Sequence, residues 1–169
     1  MVAVTDTSVL INFYVLDLFP QLSILFNKIL VPSPVRDQFL NPAREDAKSR
    51  EVVFTTLSEQ TGMFAPCNDY DTNEVTLLQN EGLDPGESEA LSQFKIVEAD
   101  ILLIDEVAAR KIANLQGLRC RGTARILAEL EKLGMANTWE CIRRLRSENN
   151  FRVSNAIVQQ ALWEAFQDK

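Results

Sequence analysis

Ile101-Leu102-Leu103-Ile104-Asp105-Glu106 is the stretch on which the fold turns. Four aliphatic residues in a row leave no polar face, which suits a strand covered on both sides in the middle of a parallel sheet. The run ends in two acids and passes into a helical pattern from Val107 to Leu115. Just upstream, Asp84-Pro85-Gly86-Glu87 has the form of a helix start: Asp as N-cap, Pro at the first position, Glu three residues on to close a capping box. That helix turns Ala90, Leu91 and Phe94 inward. Downstream, Leu118–Arg121 reads as a shorter strand, and Gly122-Thr123 opens another helix.

The same alternation runs back to the N-terminus. Val2-Ala3-Val4-Thr5 is a β-branched apolar run ending at Asp6, with Thr7 or Ser8 placed to cap a helix carrying Leu10, Phe13 and Leu16. Pro20 begins a short helix. Ile29-Leu30-Val31 is a second strand stopped by Pro32, after which Ser33 caps a helix with Pro34 at its first position. Residues 43 to 60 should be largely helical, 63 to 65 a weak strand, and Asp71 or Thr72 the start of a further helix. Strand–helix alternation implies an α/β fold, a parallel β-sheet flanked by helices on both faces in a Rossmann-like three-layer arrangement. Residues 1–135 make that unit. Residues 136–169 form a helical C-terminal extension packed on the same domain, ending in an amphipathic helix capped by Ser154 with Ile157, Ala161, Leu162, Trp163 and Phe166 on its apolar stripe.

Composition narrows the chemistry. The chain has 169 residues, 46% of them apolar, enough to fill one core. No histidine is present, which removes imidazole-based triads, acid–base histidines and His-ligated zinc. Cys67, Cys120 and Cys141 are too far apart in sequence for a CxxC pair, and free thiols point to a reducing, cytoplasmic setting. No segment reaches the roughly 18 apolar residues of a membrane span, and the N-terminus lacks the basic region of a signal peptide. A net charge of −7 argues against broad non-specific binding to nucleic acid, though a local basic patch acts within about 10 Å of itself.

Open α/β sheets bind ligands beyond the carboxyl ends of their strands, where strand order reverses. Two strands here end in acid, at Asp6 and at Asp105-Glu106, and the helix from Asp84 adds Glu87 or Glu89. Carboxylates forced together take up protons or bind a cation, and oxygen ligands without His or Cys suit Mg²⁺ or Mn²⁺. Each acid also has a plainer use. Asp6 can cap the next helix, Glu87 can serve only the capping box, Glu89 can sit at the solvated edge of the core, and Asp105 or Glu106 can be first-turn acids favoured by the helix dipole.

Taken in order, these residues resemble the PIN-domain family, closest to a bacterial and archaeal branch of predicted nucleic-acid-binding proteins related to toxin–antitoxin ribonucleases. The carrying motifs are Val4-Thr5-Asp6-Thr7-Ser8-Val9-Leu10-Ile11, Val31-Pro32-Ser33-Pro34-Val35, Asp84 to Leu91, Leu102 to Arg110, Gly122-Thr123, and Phe151-Arg152-Val153-Ser154. The resemblance implies a Mg²⁺- or Mn²⁺-dependent endoribonuclease that cleaves single-stranded RNA by metal-activated water. By position, Asp6 is the first acid, Glu89 with Glu87 beside it the third, and Asp105 or Glu106 the last. Asp6, Glu89 and Asp105 are then catalytic, with Glu87 and Glu106 as further metal ligands. Thr7 and Ser8 stand beside the metal, and Arg110 and Thr123 near the substrate.

The second acid departs from the family pattern. Gln38 stands where an acid is usual, and the neighbouring Asp37 points about 100° away on a helix. Lys111, Arg119, Arg121 and Arg125 around the last acid, or Arg143, Arg144 and Arg146 further on, offer phosphate contacts or simply solvated helix faces. The resemblance further implies an antitoxin protein as partner, and the amphipathic helices allow a homodimer. The competing reading, favoured by Gln38 and the acidic charge, is a non-catalytic PIN-fold module that binds nucleic acid or protein. A phosphoacceptor role for a strand-end Asp ranks below both, because no strand-end Lys is placed to pair with a phosphoryl group.

Overall fold

The computed structural model describes residues 1–167; residues 168 and 169, the end of the expected C-terminal extension, lie outside them. Five strands form one sheet: β1 (Val2–Thr5), β2 (Lys28–Pro32), β3 (Phe64–Cys67), β4 (Ile101–Leu103) and β5 (Cys120–Arg121). Their order is β3-β2-β1-β4-β5 and every pairing is parallel. The order reverses between β1 and β4, whose register sets Ala3 beside Ile101 and Thr5 beside Leu103.

Alternation along the central strands divides the apolar side chains between two cores, as a sheet covered on both faces requires. Ala3, Ile101 and Leu103 face one core, built with α1 (Thr7–Val15), α2 (Phe19–Leu25), α3 (Ser33–Phe39), α4 (Ala47–Thr61), α8 (Thr123–Lys132), α9 (Thr138–Glu148) and α10 (Asn155–Gln167). Val4, Leu102 and Ile104 face the other, with α5 (Thr72–Asn80), α6 (Pro85–Ile96) and α7 (Val107–Leu115). The three-layer α/β architecture is therefore the one expected. Ile142, Leu145 and Val158 of α9 and α10 are buried in the first core alongside α8. Among the described residues no single helix is long and apolar enough to cross a membrane.

Local signals mostly act as read. The capping box forms at Asp84, which accepts from the Glu87 N–H at 2.7 Å while Glu87 accepts from the Asp84 N–H at 3.1 Å. One cap falls to the second of two candidates read from the sequence, and one differs from expectation. Asp6, not Thr7 or Ser8, caps α1: its backbone is extended (φ −90°, ψ 174°) and its carboxylate accepts from the Val9 N–H at 2.8 Å. Ser33 is the first helical residue of α3 rather than its cap, and its hydroxyl donates to Asn68 Oδ1 instead.

The apolar stripe read on α10 is buried within the domain only in part, at Ala161 and, half-buried, Leu162. Val158, Ala161 and Ala165 are buried, while Ile157, Trp163 and Phe166 are 43%, 66% and 55% exposed. The small residues win because α10 packs close against α8, where there is room for Ala but not for Trp or Phe.

Candidate active site

The strand reversal delivers the first and last acids to each other. The Asp6 N–H donates to the Leu103 carbonyl at 3.0 Å, continuing the β1–β4 pairing one residue past the strands. The Asp6 side chain then turns across: one carboxylate oxygen caps α1 through Val9, and the other accepts from the Asp105 N–H at 3.1 Å. Only 2% of Asp6 is exposed. Its pKa is raised well above the usual Asp value, first by burial, then by the Asp105 carboxylate, with Glu87 adding further repulsion.

Asp105 sits in a denser web. One carboxylate oxygen accepts from the Thr123 N–H at 2.8 Å and lies 3.7 Å from the Arg110 guanidinium. The other accepts from the Thr123 hydroxyl and from Asn12 Nδ2, the latter at 3.0 Å. Burial raises its pKa, and these donors and Arg110 oppose the rise without cancelling it. Asn12 also accepts from Asn149 Nδ2 at 2.8 Å, tying the loop after α9 to the site. Arg110 donates to the Ile104 carbonyl at 2.8 Å, and its guanidinium crosses directly over Gly122. A Cβ at that position would lie 2.0 Å from Arg110 Nη2 and 2.8 Å from Asp105 Oδ1, so the glycine is there for close approach.

A polar pocket of ≈ 290 Å³ opens above Asp6 and is lined by Thr7, Ser8, Gln38, Arg44, Asp84 and Glu87 among others. Thr7 donates its hydroxyl to Gln38 Oε1 at 2.6 Å, so the residue at the second acid position does face the first-acid loop. Asp37 does not line this pocket. Glu87 is raised in pKa by burial, by Asp84 and by Glu106, which is itself exposed at the N-terminus of α7. Glu89 does not line the pocket; two residues further along α6, one of its carboxylate oxygens is buried without a hydrogen-bond partner.

Of the acids singled out in the sequence, the structure thus brings Asp6, Glu87 and Asp105 within electrostatic reach, with Glu106 at the rim, and leaves Glu89 aside. The donor set is entirely oxygen, which fits a hard cation, and Asp6 is a carboxylate that burial first, and the Asp105 charge second, leave short of compensation by its hydrogen bonds. No group of three carboxylates is close enough to cage an ion among the described residues, so any cation there is completed by hydroxyls, amide oxygens or water. Two participants were missed in the sequence. Asn12 had a signal, being the one polar residue in the otherwise apolar run Val9–Phe13. Arg44 had none, because only the chain turn after α3 brings it to the pocket.

A family model of the PIN domain matches residues 2–167. The chain is a PIN-domain protein. No curated protein matches it. PIN domains are a nuclease-type fold and are generally dependent on divalent metal, in keeping with the oxygen-rich pocket at the β1–β4 reversal. The match takes in α9 and α10 along with the sheet, so a PIN domain here accounts for the segment after residue 135 as well.

The buried acids fix how stability responds to pH. A carboxyl whose folded pKa is raised binds its proton more tightly in the folded chain, so stability is lost as pH rises from the unfolded value, about 3.9 for Asp, through the raised folded value. In chelator, urea denaturation of this PIN domain should show stability falling across that window, with a shallower fall in Asp6→Asn. Saturating Mn²⁺ at pH 7 should restore part of the loss in wild type only. A variant and a parent with the same pH slope would show that Asp6 is not the strained group.

Proposed function

We propose that this PIN domain is a divalent-metal-dependent ribonuclease that hydrolyses single-stranded RNA, with Asp6 and Glu87 as the principal cation-holding acids and Asp105 as the acid beneath them. The observation that carries this reading is the pair of buried, like-charged carboxylates Asp6 and Asp105 at the strand reversal, the first of which opens with Glu87 into a polar pocket. Mg²⁺ or Mn²⁺ held there supplies an activated water and a charge clamp for phosphodiester hydrolysis. Thr7 and Ser8 add hydroxyl donors at the N-terminus of α1. Arg44 supplies the pocket's positive charge and faces the phosphate. Thr123 and Asn12 hold Asp105 in place so that its charge bears on Asp6.

The test is purified protein with labelled single-stranded RNA in Mn²⁺, Mg²⁺ or chelator. Cleavage in metal and none in chelator is the expected pattern; inactivity in both metals would remove the proposal. The same reading takes the protein as cytoplasmic, in keeping with three free cysteines, and as one half of a toxin–antitoxin pair. It also allows a homodimer through the exposed Trp163 and Phe166 of α10.

Gln38 favours a second reading, a PIN fold that binds without cutting. A neutral amide at this place gives a weaker pull on a cation than a carboxylate does. Gln38→Glu keeps an acceptor for the Thr7 hydroxyl and adds one negative charge to the pocket. Its Mn²⁺ dissociation constant, by calorimetry, should fall about 10-fold, the lower end of the effect of residues around metal sites. Unchanged affinity would mean that position 38 lies outside the cation's reach.

A further inference from the structure

Asp105, whose N–H holds Asp6, lines a second crevice of ≈ 380 Å³ between α7, the start of α8, α10 and the segment 151–153. Its size falls within the range of about 300–1,000 Å³ typical of small-ligand sites. The two crevices have opposite character. The pocket over Asp6 sets Arg44 against Asp6, Asp84 and Glu87. The second sets Arg110, Arg121, Arg125 and Arg152 against Asp105 and Glu164. A net positive hollow beside the acid cluster is conspicuous on a chain of net charge −7.

The arginines are not equivalent. Arg121 and Arg125 are braced by Glu129, at 2.9 and 2.8 Å, and shape the wall. Arg152 is exposed and has no salt-bridge partner among the described residues. Arg110 has a buried Nε without a hydrogen-bond partner. Between them the floor is apolar: Phe151 and Val153, half-buried, and Ile157, 43% exposed. Arg146 fixes this floor by donating to the Val153 carbonyl at 2.8 Å, and Asn149 anchors its N-terminal side to Asn12.

From this juxtaposition we infer that the second crevice is a nucleotide subsite, where a base of single-stranded RNA lies on Phe151, Val153 and Ile157. Arg152 and Arg110 hold the adjoining phosphates. Unstacked bases seat on aromatic and apolar faces, and phosphates take guanidinium donors; a paired base could not enter. The strand then passes from the positive crevice over Asp105 into the acidic pocket, where cleavage would occur. The subsite rests on the ribonuclease reading for its purpose but not for its test.

Fluorescence anisotropy of a labelled single-stranded hexauridylate in EDTA measures binding without cleavage. Arg152→Ala should weaken binding about 5–10-fold and reduce the slope of log affinity against log salt by about 0.7. Phe151→Leu, which keeps apolar volume in the core, should weaken binding while leaving the salt slope unchanged. Melting temperature and Mn²⁺ affinity should stay at wild-type values for Arg152→Ala. Equal binding by wild type and Arg152→Ala, no RNA binding at all, or equal affinity for a duplex of the same length each overturns the subsite. RNA binding that depends on Arg152 in a protein that never cleaves would instead retain the subsite and sink the nuclease.

Discussion

Asp6→Asn is expected to lower Mn²⁺-dependent RNA cleavage at least about 100-fold. Loss of a supporting group around a metal ligand typically costs about 10–100-fold, and Asp6 is placed as a ligand itself, so the upper end is the floor of the expected effect. The substitution changes little else. The amide oxygen still accepts from the Val9 N–H and keeps the α1 cap. Its NH₂ would face the Asp105 N–H, now 3.1 Å from a carboxylate oxygen, at a cost of about 1–3 kcal/mol. Against that, the repulsion between two buried acids disappears, and with it a cause of the raised Asp6 pKa. The two effects oppose each other, so the melting temperature in chelator should move little while activity collapses. Single-turnover cleavage of the same RNA by both proteins decides the matter. An Asp6→Asn protein that cuts at more than a tenth of the wild-type rate would show that the reaction does not run through this pocket.

How much of this was legible beforehand depends on whether a feature is local. The strand Ile101-Leu102-Leu103-Ile104 and the capping box at Asp84 and Glu87 are written in near-consecutive residues; the box forms and the strand forms over Ile101–Leu103, one residue shorter. The meeting of Asp6 and Asp105 follows from one further step, the rule that strand ends at an order reversal converge. The choice between Glu87 and Glu89 was not legible. Both lie near the start of α6, and only the rotation of that helix against the sheet turns Glu87 toward Asp6. Which part of the α10 stripe is buried within the domain was not legible, because an amphipathic stripe looks the same whether it packs inside or against a second copy. In the fold Ala161, on that stripe, is buried together with Ala165, and Trp163 stays outside. Arg44 and the crevice at Phe151 arise from contacts across the chain that no window of sequence contains.

Phe39→Ala is expected to cost about 3–5 kcal/mol of folding stability, the usual range for removing a buried aromatic side chain. Phe39 has no exposed surface and is the last residue of α3, directly after Gln38. Its ring centroid lies 5.9 Å from Tyr14, 5.9 Å from Phe19 and 5.8 Å from Phe54, so one side chain joins α1, α2, α3 and α4. The buried Arg50 guanidinium sits 5.2 Å from the same centroid and 4.9 Å from that of Tyr14, paired with Asp46 at 2.7 Å. Truncation therefore opens a cavity and also removes one of the two rings facing a buried cation, which leaves little room for compensating collapse. Phe39→Leu keeps most of the volume and should cost markedly less. Because α3 is held to α1 through this ring, the Ala variant should also loosen the Thr7–Gln38 contact and weaken Mn²⁺ binding under conditions where it remains folded. Urea denaturation in chelator gives the first quantity and calorimetry the second. A loss below about 1 kcal/mol would mean that the aromatic cluster is not what positions α3 over the acidic pocket.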